Sequence, residues 1–282
     1  MMRPQSAILK EIPPLGRSIH LELPHLSDFL GWVHTVHEVV PEENLIVGIG
    51  GKALRACTAF RGSYHPYPER HFGGISLPST QGDVWLFLRA TSASELFNLY
   101  RALRKSLPSS AKILSAVDTF KYREGRDLTG YLDGTANPGL DQSPSVAFDF
   151  DSPLLLGSSF ALVQTWVHDL SKFGGFTRQQ QNHLVGRDLE SNEELTDAPP
   201  DAHVRRTEQE DFDPPAFLVR RSMPFADAFR EGLEFMAFSC VLGNFDRQLD
   251  RMIGLSDGVQ DRLFQFTKAI SGAYYWCPPI EG

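Results

Sequence analysis

The strongest constraint on the fold is an order of strands and helices that recurs along the chain. The assignment rests on alternation of apolar residues in the strands and on helical spacing in the helices. In the first half this predicts a strand over 17–23, a helix over 26–40, strands over 45–50 and 84–88, a helix over 96–107 and a strand over 116–122. That order, β-α-β-β-α-β, is typical of a ferredoxin-like unit.

The second half repeats the order less regularly. Here the pattern predicts a strand over 160–167, a helix over 177–186, strands over 217–221 and 235–241, and helices over 246–253 and 259–270. We therefore predict an α+β fold made of two ferredoxin-like units packed together. The N-terminal unit covers 15–125 and the C-terminal unit 158–280, and a segment rich in Gly, Pro and Asp, 126–157, connects them.

The charge balance excludes some classes of partner. The 282 residues contain 35 Asp and Glu against 27 Lys and Arg, a formal net charge of −8. An acidic chain of this kind is not expected to bind nucleic acid or an anionic membrane surface. We also expect no transmembrane helix, because the chain has no run of 18 apolar residues. We expect no signal peptide, because the charged N-terminus has only a short apolar patch at residues 7–9. Three widely separated cysteines, Cys57, Cys240 and Cys277, favour reduced thiols and a cytoplasmic location.

One glycine-rich stretch permits a nicotinamide site. Residues Gly48 to Ala53 fit the pattern G-x-G-x-x-A and follow a predicted strand. The acid expected about 20 residues later would be Glu69, but it lies in a loop rich in His and Pro. The alternative interpretation is a tight turn between a strand and a helix, and it is favoured.

Three later segments combine residues that suit redox chemistry. In Gly130–Pro138, glycines on both sides of Asp133 indicate a specific backbone path, although an Asp-Gly turn alone accounts for the pattern. His203 lies beside Arg205 in an irregular segment. A neutral imidazole is a good ligand for iron and arginines suit carboxylates, but a lone loop histidine is often only solvated.

The third segment, Leu218–Phe225, contains paired arginines at the end of an apolar strand. Consecutive strand residues point to opposite faces. Either Arg220 or Arg221 must therefore point inward, unless the strand is an exposed edge.

Taken together and in this order, the three segments resemble the dye-decolourising peroxidase family. Its marker, usually read as G-F-x-D-G-T-x-N-P, is similar to Gly130–Pro138, with Tyr131 where Phe is usual. His203 matches the family's axial histidine, and Arg220 matches the distal arginine that precedes Met-Pro-Phe. Segments at 82–90, 164–170 and 185–187 are similar as well, so the resemblance covers about residues 15 to 279.

The resemblance implies a haem peroxidase with haem b held between the two units. His203 is then the iron ligand. Asp133 carries the proton that peroxide cleavage requires, and Arg220 stabilises the charge on the leaving oxygen. The second ring nitrogen of His203 is expected to donate to a carboxylate, which the sequence does not identify.

Further residues are expected at the cofactor. Arg187 and Arg205 suit the haem propionates, and Ser222 stands where the cytoplasmic bacterial subclass often has Asn. Because serine is shorter, we expect it to position peroxide or solvent differently.

The expected reaction is reduction of hydrogen peroxide coupled to oxidation of a small-molecule reductant such as a dye or phenol. The cluster Tyr274, Tyr275 and Trp276 is a candidate electron relay, with core packing as the favoured alternative. Resemblance and the number of strand edges predict a homo-oligomer. Two other functions stay open: a haem carrier or iron-releasing protein without turnover, and an NAD(P)-dependent oxidoreductase.

Overall fold

A computed structural model describes residues 2–23, 29–55 and 64–281. The strands are β1 (Met2–Arg3), β2 (Leu15–Glu22), β3 (Leu45–Ile49), β4 (Arg70–Phe72), β5 (Ile75–Leu77), β6 (Val84–Ala90), β7 (Lys112–Phe120), β8 (Ser159–His168), β9 (Val219–Arg220), β10 (Met223–Ala226), β11 (Glu231–Ser239), β12 (Thr267–Ala269), β13 (Ala273–Cys277) and β14 (Ile280–Glu281). The helices are α1 (Phe29–Val39), α2 (Gly51–Arg55), α3 (Ala93–Ser106), α4 (Ser143–Ala147), α5 (Leu170–Gly174), α6 (Arg178–Val185), α7 (His203–Arg206) and α8 (Gly243–Ile253). None of the described helices is long and apolar enough to cross a membrane.

A ten-stranded antiparallel sheet organises the structure, in the order β10-β11-β8-β13-β3-β6-β2-β7, with β9 paired to β11 and β12 to β8. The two halves of this sheet have the same topology. In chain order, β2, β3, β6 and β7 stand side by side as 2-3-1-4, and β8, β10, β11 and β13 do the same. The halves join where Trp276 of β13 pairs with Ile49 of β3. The repeated order in the sequence therefore corresponds to a repeated strand order in space.

Amphipathic helices cover one face of the sheet. Helix α3 is capped by Ser92, whose side chain accepts a hydrogen bond from the Glu95 amide at 3.2 Å. In α8 the buried residues follow helical spacing, at Phe245, Leu249 and Met252. They pack in one core cluster with Leu162 of β8. The opposite face of the sheet holds a second buried cluster.

One predicted helix is wrong. Residues 259–270 form a short 3-10 turn over Arg262–Gln265, followed by strand β12. The turn begins at Asp261, whose side chain accepts from the Leu263 amide at 2.8 Å. Strand β12 then pairs with β8. The apolar residues of this segment lie at different places, Leu263 on the cavity wall and Ala269 in the main core cluster, so their spacing does not reflect one helix face.

Other predicted bounds need smaller corrections. The strand predicted over 217–221 is only Val219–Arg220, and strands β10 and β13 were not predicted. Burial explains β13, because all five of its residues are buried and show no alternation. Leu26, part of the first predicted helix, and Cys57 lie outside the described residues.

Candidate active site

The predicted iron ligand and both predicted peroxide residues line one cavity of about 670 Å³. Its walls are mainly apolar side chains from β8, β11 and α8: Leu162, Trp166, Leu233, Phe235, Phe245, Leu249 and Met252. The described lining residues run from Asp133 to Thr267. The cavity therefore lies within the C-terminal half and its connecting segment, rather than between the two units as expected.

His203 is anchored by a buried carboxylate. It is the first residue of α7, and its Nδ1 lies 2.7 Å from Oδ2 of Asp261. The Asp261 side chain has no exposed surface. Because a carboxylate can only accept this bond, Nδ1 carries the proton and Nε2 has a free lone pair. This is the arrangement in which a histidine binds a metal through Nε2.

The short helix α7 is held from two sides. The Arg206 guanidinium binds the Asp257 carboxylate at 2.7 and 2.8 Å and the Arg251 carbonyl at 2.6 Å. On the other side, Gly186 ends α6 with φ +93°, and a Cβ there would lie 2.2 Å from Cγ1 of Val204. Glycine is therefore required at this position for α7 to pack closely against α6.

The Asp133 side chain is positioned by the glycines around it. Gly130 and Gly134 have φ values of +92° and +75°, a region that favours glycine. The Gly134 amide donates to Oδ1 of Asp133 at 2.7 Å. The motif is thus a tight turn, as composition alone suggested, and the turn places its carboxylate on the cavity wall.

Arg220 is 87 positions away in sequence but is joined directly to the same motif. The Asn137 side chain accepts from the Arg220 amide at 2.7 Å and donates to its carbonyl at 3.1 Å. Gln209 adds a second link, since it donates to the Ala136 carbonyl at 2.7 Å and accepts from the Leu218 amide. The buried Nε of Arg220 has no hydrogen-bond partner among the described residues, so this donor is available to a ligand.

Asp133 and Arg220 stand where three cavities meet. A second cavity of about 700 Å³ shares both residues and His203 with the first. A third, of about 980 Å³, reaches Asp133 and Arg220 from the side of Lys121 and Glu124. The two predicted peroxide residues are therefore accessible both from the apolar cavity and from an outer polar one.

The other predicted cofactor residues occupy different positions. Arg187 lines the second cavity, and its guanidinium lies 3.4 Å from Glu194. Arg205 pairs with Glu194 and Glu208 at 3.2 and 3.4 Å and is not among the residues lining these three cavities. Ser222 is buried and lines only the outer cavity of the three.

A second histidine on the cavity wall was not predicted as a site residue. His168, at the end of β8, has its Nε2 3.1 Å from Asp127 and its Nδ1 2.7 Å from the Thr267 hydroxyl. Burial raises the pKa of Asp127, but hydrogen bonds from His168 and Thr129 outweigh it and hold that pKa below its ordinary value. The pair ties the turn before Asp133 to the sheet. The sequence offers little indication of this pair, since neither His168 nor Asp127 belongs to a motif with a characteristic spacing.

The glycines of the candidate nicotinamide site, Gly48 to Ala53, are explained by close packing. Gly48 lies in β3, and a Cβ there would be 2.6 Å from Cβ of Tyr275, while a Cβ at Gly51 would be 2.7 Å from Asp83. The Gly51 amide already binds the Tyr64 hydroxyl at 2.9 Å. Gly48 thus permits close contact between β3 and β13, and Gly51, with φ +55°, allows the turn from β3 into α2, in agreement with the interpretation as a tight turn between a strand and a helix.

The chain matches the family model described as Dyp-type peroxidase, C-terminal, over residues 124–282, more than half of its length. A dye-decolorizing peroxidase of Mycolicibacterium paratuberculosis is 30% identical, covering 91% of this chain and 75% of that protein. One from Rhodococcus erythropolis is 29% identical, covering 91% and 78%.

Solved structures agree. A dye-decolorizing protein from V. cholerae superposes with a TM-score of 0.88 at 29% identity, over 96% of both chains. A variant of Rhodococcus jostii RHA1 DypB in complex with heme does so with a TM-score of 0.86 at 26% identity, over 98% of this chain and 96% of that one. The predicted α+β fold and the resemblance are thereby confirmed, and the chain belongs to the Dyp-type peroxidase family.

Proposed function

We propose that this chain is a haem-dependent peroxidase that reduces hydrogen peroxide and oxidises dyes, phenols or similar one-electron donors. The observation that carries the proposal is the shared cavity, where a carboxylate-anchored histidine, an aspartate and an arginine meet. Family membership supports the same reaction. We propose haem b as the cofactor, since the DypB relative is a complex with heme.

The residues present fit that cofactor. His203 offers Nε2 as a single iron ligand, because Asp261 holds its Nδ1. Apolar side chains of β8, β11 and α8 suit the faces of a porphyrin. Arg187, on the adjoining polar cavity, suits a propionate, whereas Arg205 is already paired with two carboxylates.

When bound, the haem supplies the redox chemistry of peroxide reduction. His203 would hold the iron through Nε2, while Asp261 fixes the tautomer of the ring and raises its basicity. Asp133 takes the proton from the near oxygen of peroxide and returns it to the leaving oxygen. Arg220 would donate to the developing negative charge from its Nε, which has no partner in the described part of the chain.

Two substitutions test this division of labour. Asp133→Ala and Arg220→Leu should both keep haem but react more slowly with peroxide, followed by stopped-flow at the Soret band. We expect losses of about 10²–10⁴-fold for the proton carrier and about 10²–10³-fold for the charge donor. Exposed controls, Asp141→Ala and Arg230→Leu, should react at the parent rate. Parent rates in both test variants would overturn the assignment.

A haem carrier without turnover is distinguished by repeated catalysis. The enzyme should oxidise many equivalents of a dye per haem in the presence of peroxide. A carrier would stop after about one, because nothing in it promotes a second cleavage.

The cellular location, the oligomeric state and the boundaries of the two units follow from the same reasoning. We propose a cytoplasmic enzyme, supported by the free thiols of Cys240 and Cys277, with boundaries at 15–125, 126–157 and 158–280. Exposed apolar side chains such as Leu140 and Phe229, 90% and 94% accessible, support a homo-oligomer. Light scattering should therefore give a mass well above the 31.6 kDa of one chain.

A further inference from the structure

A buried carboxylate outside the cavity has an unsatisfied oxygen. Glu234, on β11, has no exposed surface. Its Oε2 accepts from the Thr165 hydroxyl at 2.7 Å, but Oε1 has no hydrogen-bond partner among the described residues. Nε2 of His20 lies 3.8 Å from Oε1. An unpaired buried carboxylate oxygen is costly, so the arrangement requires an explanation.

The histidine connects this carboxylate to a tyrosine. Nδ1 of His20 lies 2.8 Å from the hydroxyl of Tyr275, and both side chains are buried. Burial raises the pKa of Tyr275 well above its ordinary range, although a hydrogen bond from the Gly82 backbone opposes the rise. The phenol therefore keeps its proton at rest, and the lone pair of Nδ1 is in place to receive it.

We propose that Tyr275 is a one-electron redox residue that gives its proton to His20, with Glu234 as the counter-charge. The proposal rests on the proposed function, which supplies the oxidant. One electron leaves the phenol for the peroxide-oxidised haem cofactor, and the O–H bond breaks. The proton moves to Nδ1, leaving a neutral tyrosyl radical and an imidazolium. One electron passed through the protein from the reducing substrate, together with return of the proton from Nδ1, restores the phenol.

The unpaired oxygen of Glu234 is explained by the oxidised state. Once His20 is doubly protonated, its Nε2–H carries positive charge toward Oε1, across the present 3.8 Å. In the resting state Oε1 of Glu234 has no hydrogen-bond partner among the described residues and already faces His20. A preorganised counter-charge of this kind stabilises the charge that develops at a buried site without reorganisation.

The position of Tyr275 favours storage of an oxidising equivalent over surface oxidation. Thr165, which binds Glu234, lies between Gln164 and Trp166, which line the cavity, so the redox group is on the other face of strand β8. The Tyr275 ring stacks on Trp85 at 6.0 Å between centroids and 24° between planes. Both rings have no exposed surface, so solvent and bulky reductants do not reach them.

Freeze-quench electron paramagnetic resonance of the haem-loaded protein after peroxide tests the proposal. The parent should give a neutral tyrosyl signal that is lost in Tyr275→Phe. The matched control is Tyr274→Phe, since Tyr274 packs on the opposite face with its hydroxyl bound to Asp246 at 2.9 Å. It should keep the signal. A signal that survives in Tyr275→Phe overturns the proposal.

A second measurement needs no substitution at the radical site. In parent protein with ¹⁵N-labelled histidine, the radical should couple to one histidine nitrogen, and the coupling should vanish in His20→Gln but stay in the exposed control His65→Gln. Absence of coupling in the parent overturns the role of His20. If peroxide leaves the Soret band unchanged, the proposed function fails; if the band changes without a tyrosyl signal, only the present proposal fails.

Discussion

Replacing Asp261 by asparagine tests how His203 is prepared to bind iron. In the structure both carboxylate oxygens accept, Oδ2 from His203 Nδ1 at 2.7 Å and Oδ1 from the Leu263 amide at 2.8 Å. An asparagine has one acceptor oxygen, and the Leu263 amide requires it. Its NH₂ group then faces Nδ1, which forces the ring proton onto Nε2, the nitrogen that must bind iron.

The size of the effect follows from burial. Loss of the carboxylate behind a metal-bound histidine typically costs about 10- to 100-fold in metal affinity or activity. That corresponds to about 1.4–2.7 kcal/mol. Because the Asp261 side chain has no exposed surface, water cannot take its place. We therefore expect haem affinity to fall by about 100-fold, near the upper limit.

The assay is a haem titration of the apoprotein, followed at the Soret band. The matched control is Asp197→Asn, which removes a carboxylate 3.5 Å from Nε2 of His183, a histidine that does not line the cavity. Since the Asp197 side chain is 72% exposed, its loss should cost at most about 1 kcal/mol of stability and leave haem affinity unchanged. Parent-like affinity in Asp261→Asn would refute the reasoning, as would an equal loss in both variants.

Three further predictions concern the support of the site. Because the pKa of Asp127 is lowered, its contribution to the free energy of unfolding is complete above about pH 4 and is lost as pH falls toward the lowered pKa. In urea unfolding, the free energy of unfolding should therefore fall more steeply with decreasing pH for the parent than for Asp127→Asn, and equal slopes would contradict this. Gly186→Ala meets Val204 at 2.2 Å with φ +93°, so thermal unfolding should reveal a loss of about 1–3 kcal/mol, whereas a parent melting temperature would show that α7 adjusts freely. Asn137→Ala removes two hydrogen bonds to the Arg220 backbone and should slow the stopped-flow reaction with peroxide by about tenfold; an unchanged rate would remove Asn137 from the positioning of Arg220.

Much of the fold is readable from the sequence because most elements keep one face buried. Helices such as α3 show apolar spacing and a cap at Ser92. Strand β13 escaped prediction because both of its faces are buried. The segment 259–270 was mistaken for a helix because its apolar residues are buried at different places, some from a turn and some from a strand.

The candidate site was predictable in part. Asp133, His203 and Arg220 could be named from motif resemblance, and the structure brings them to one cavity. Asp261 could not be named, since it contacts His203 across 58 positions through a turn that no local pattern marks. The role of Glu234 could not be predicted either, because a single acid in an apolar strand gives no indication of the residue that it contacts.

Haem stoichiometry of the parent and of His203→Ala tests the central claim most directly. The pyridine haemochrome of protein saturated with haem and freed of excess should give about one haem per parent chain, because His203 is the proposed iron ligand. His203→Ala should lose most of it, while His183→Ala, a control on the neighbouring helix α6, should keep it. Equal haem content with an unchanged Soret band in His203→Ala would contradict the account.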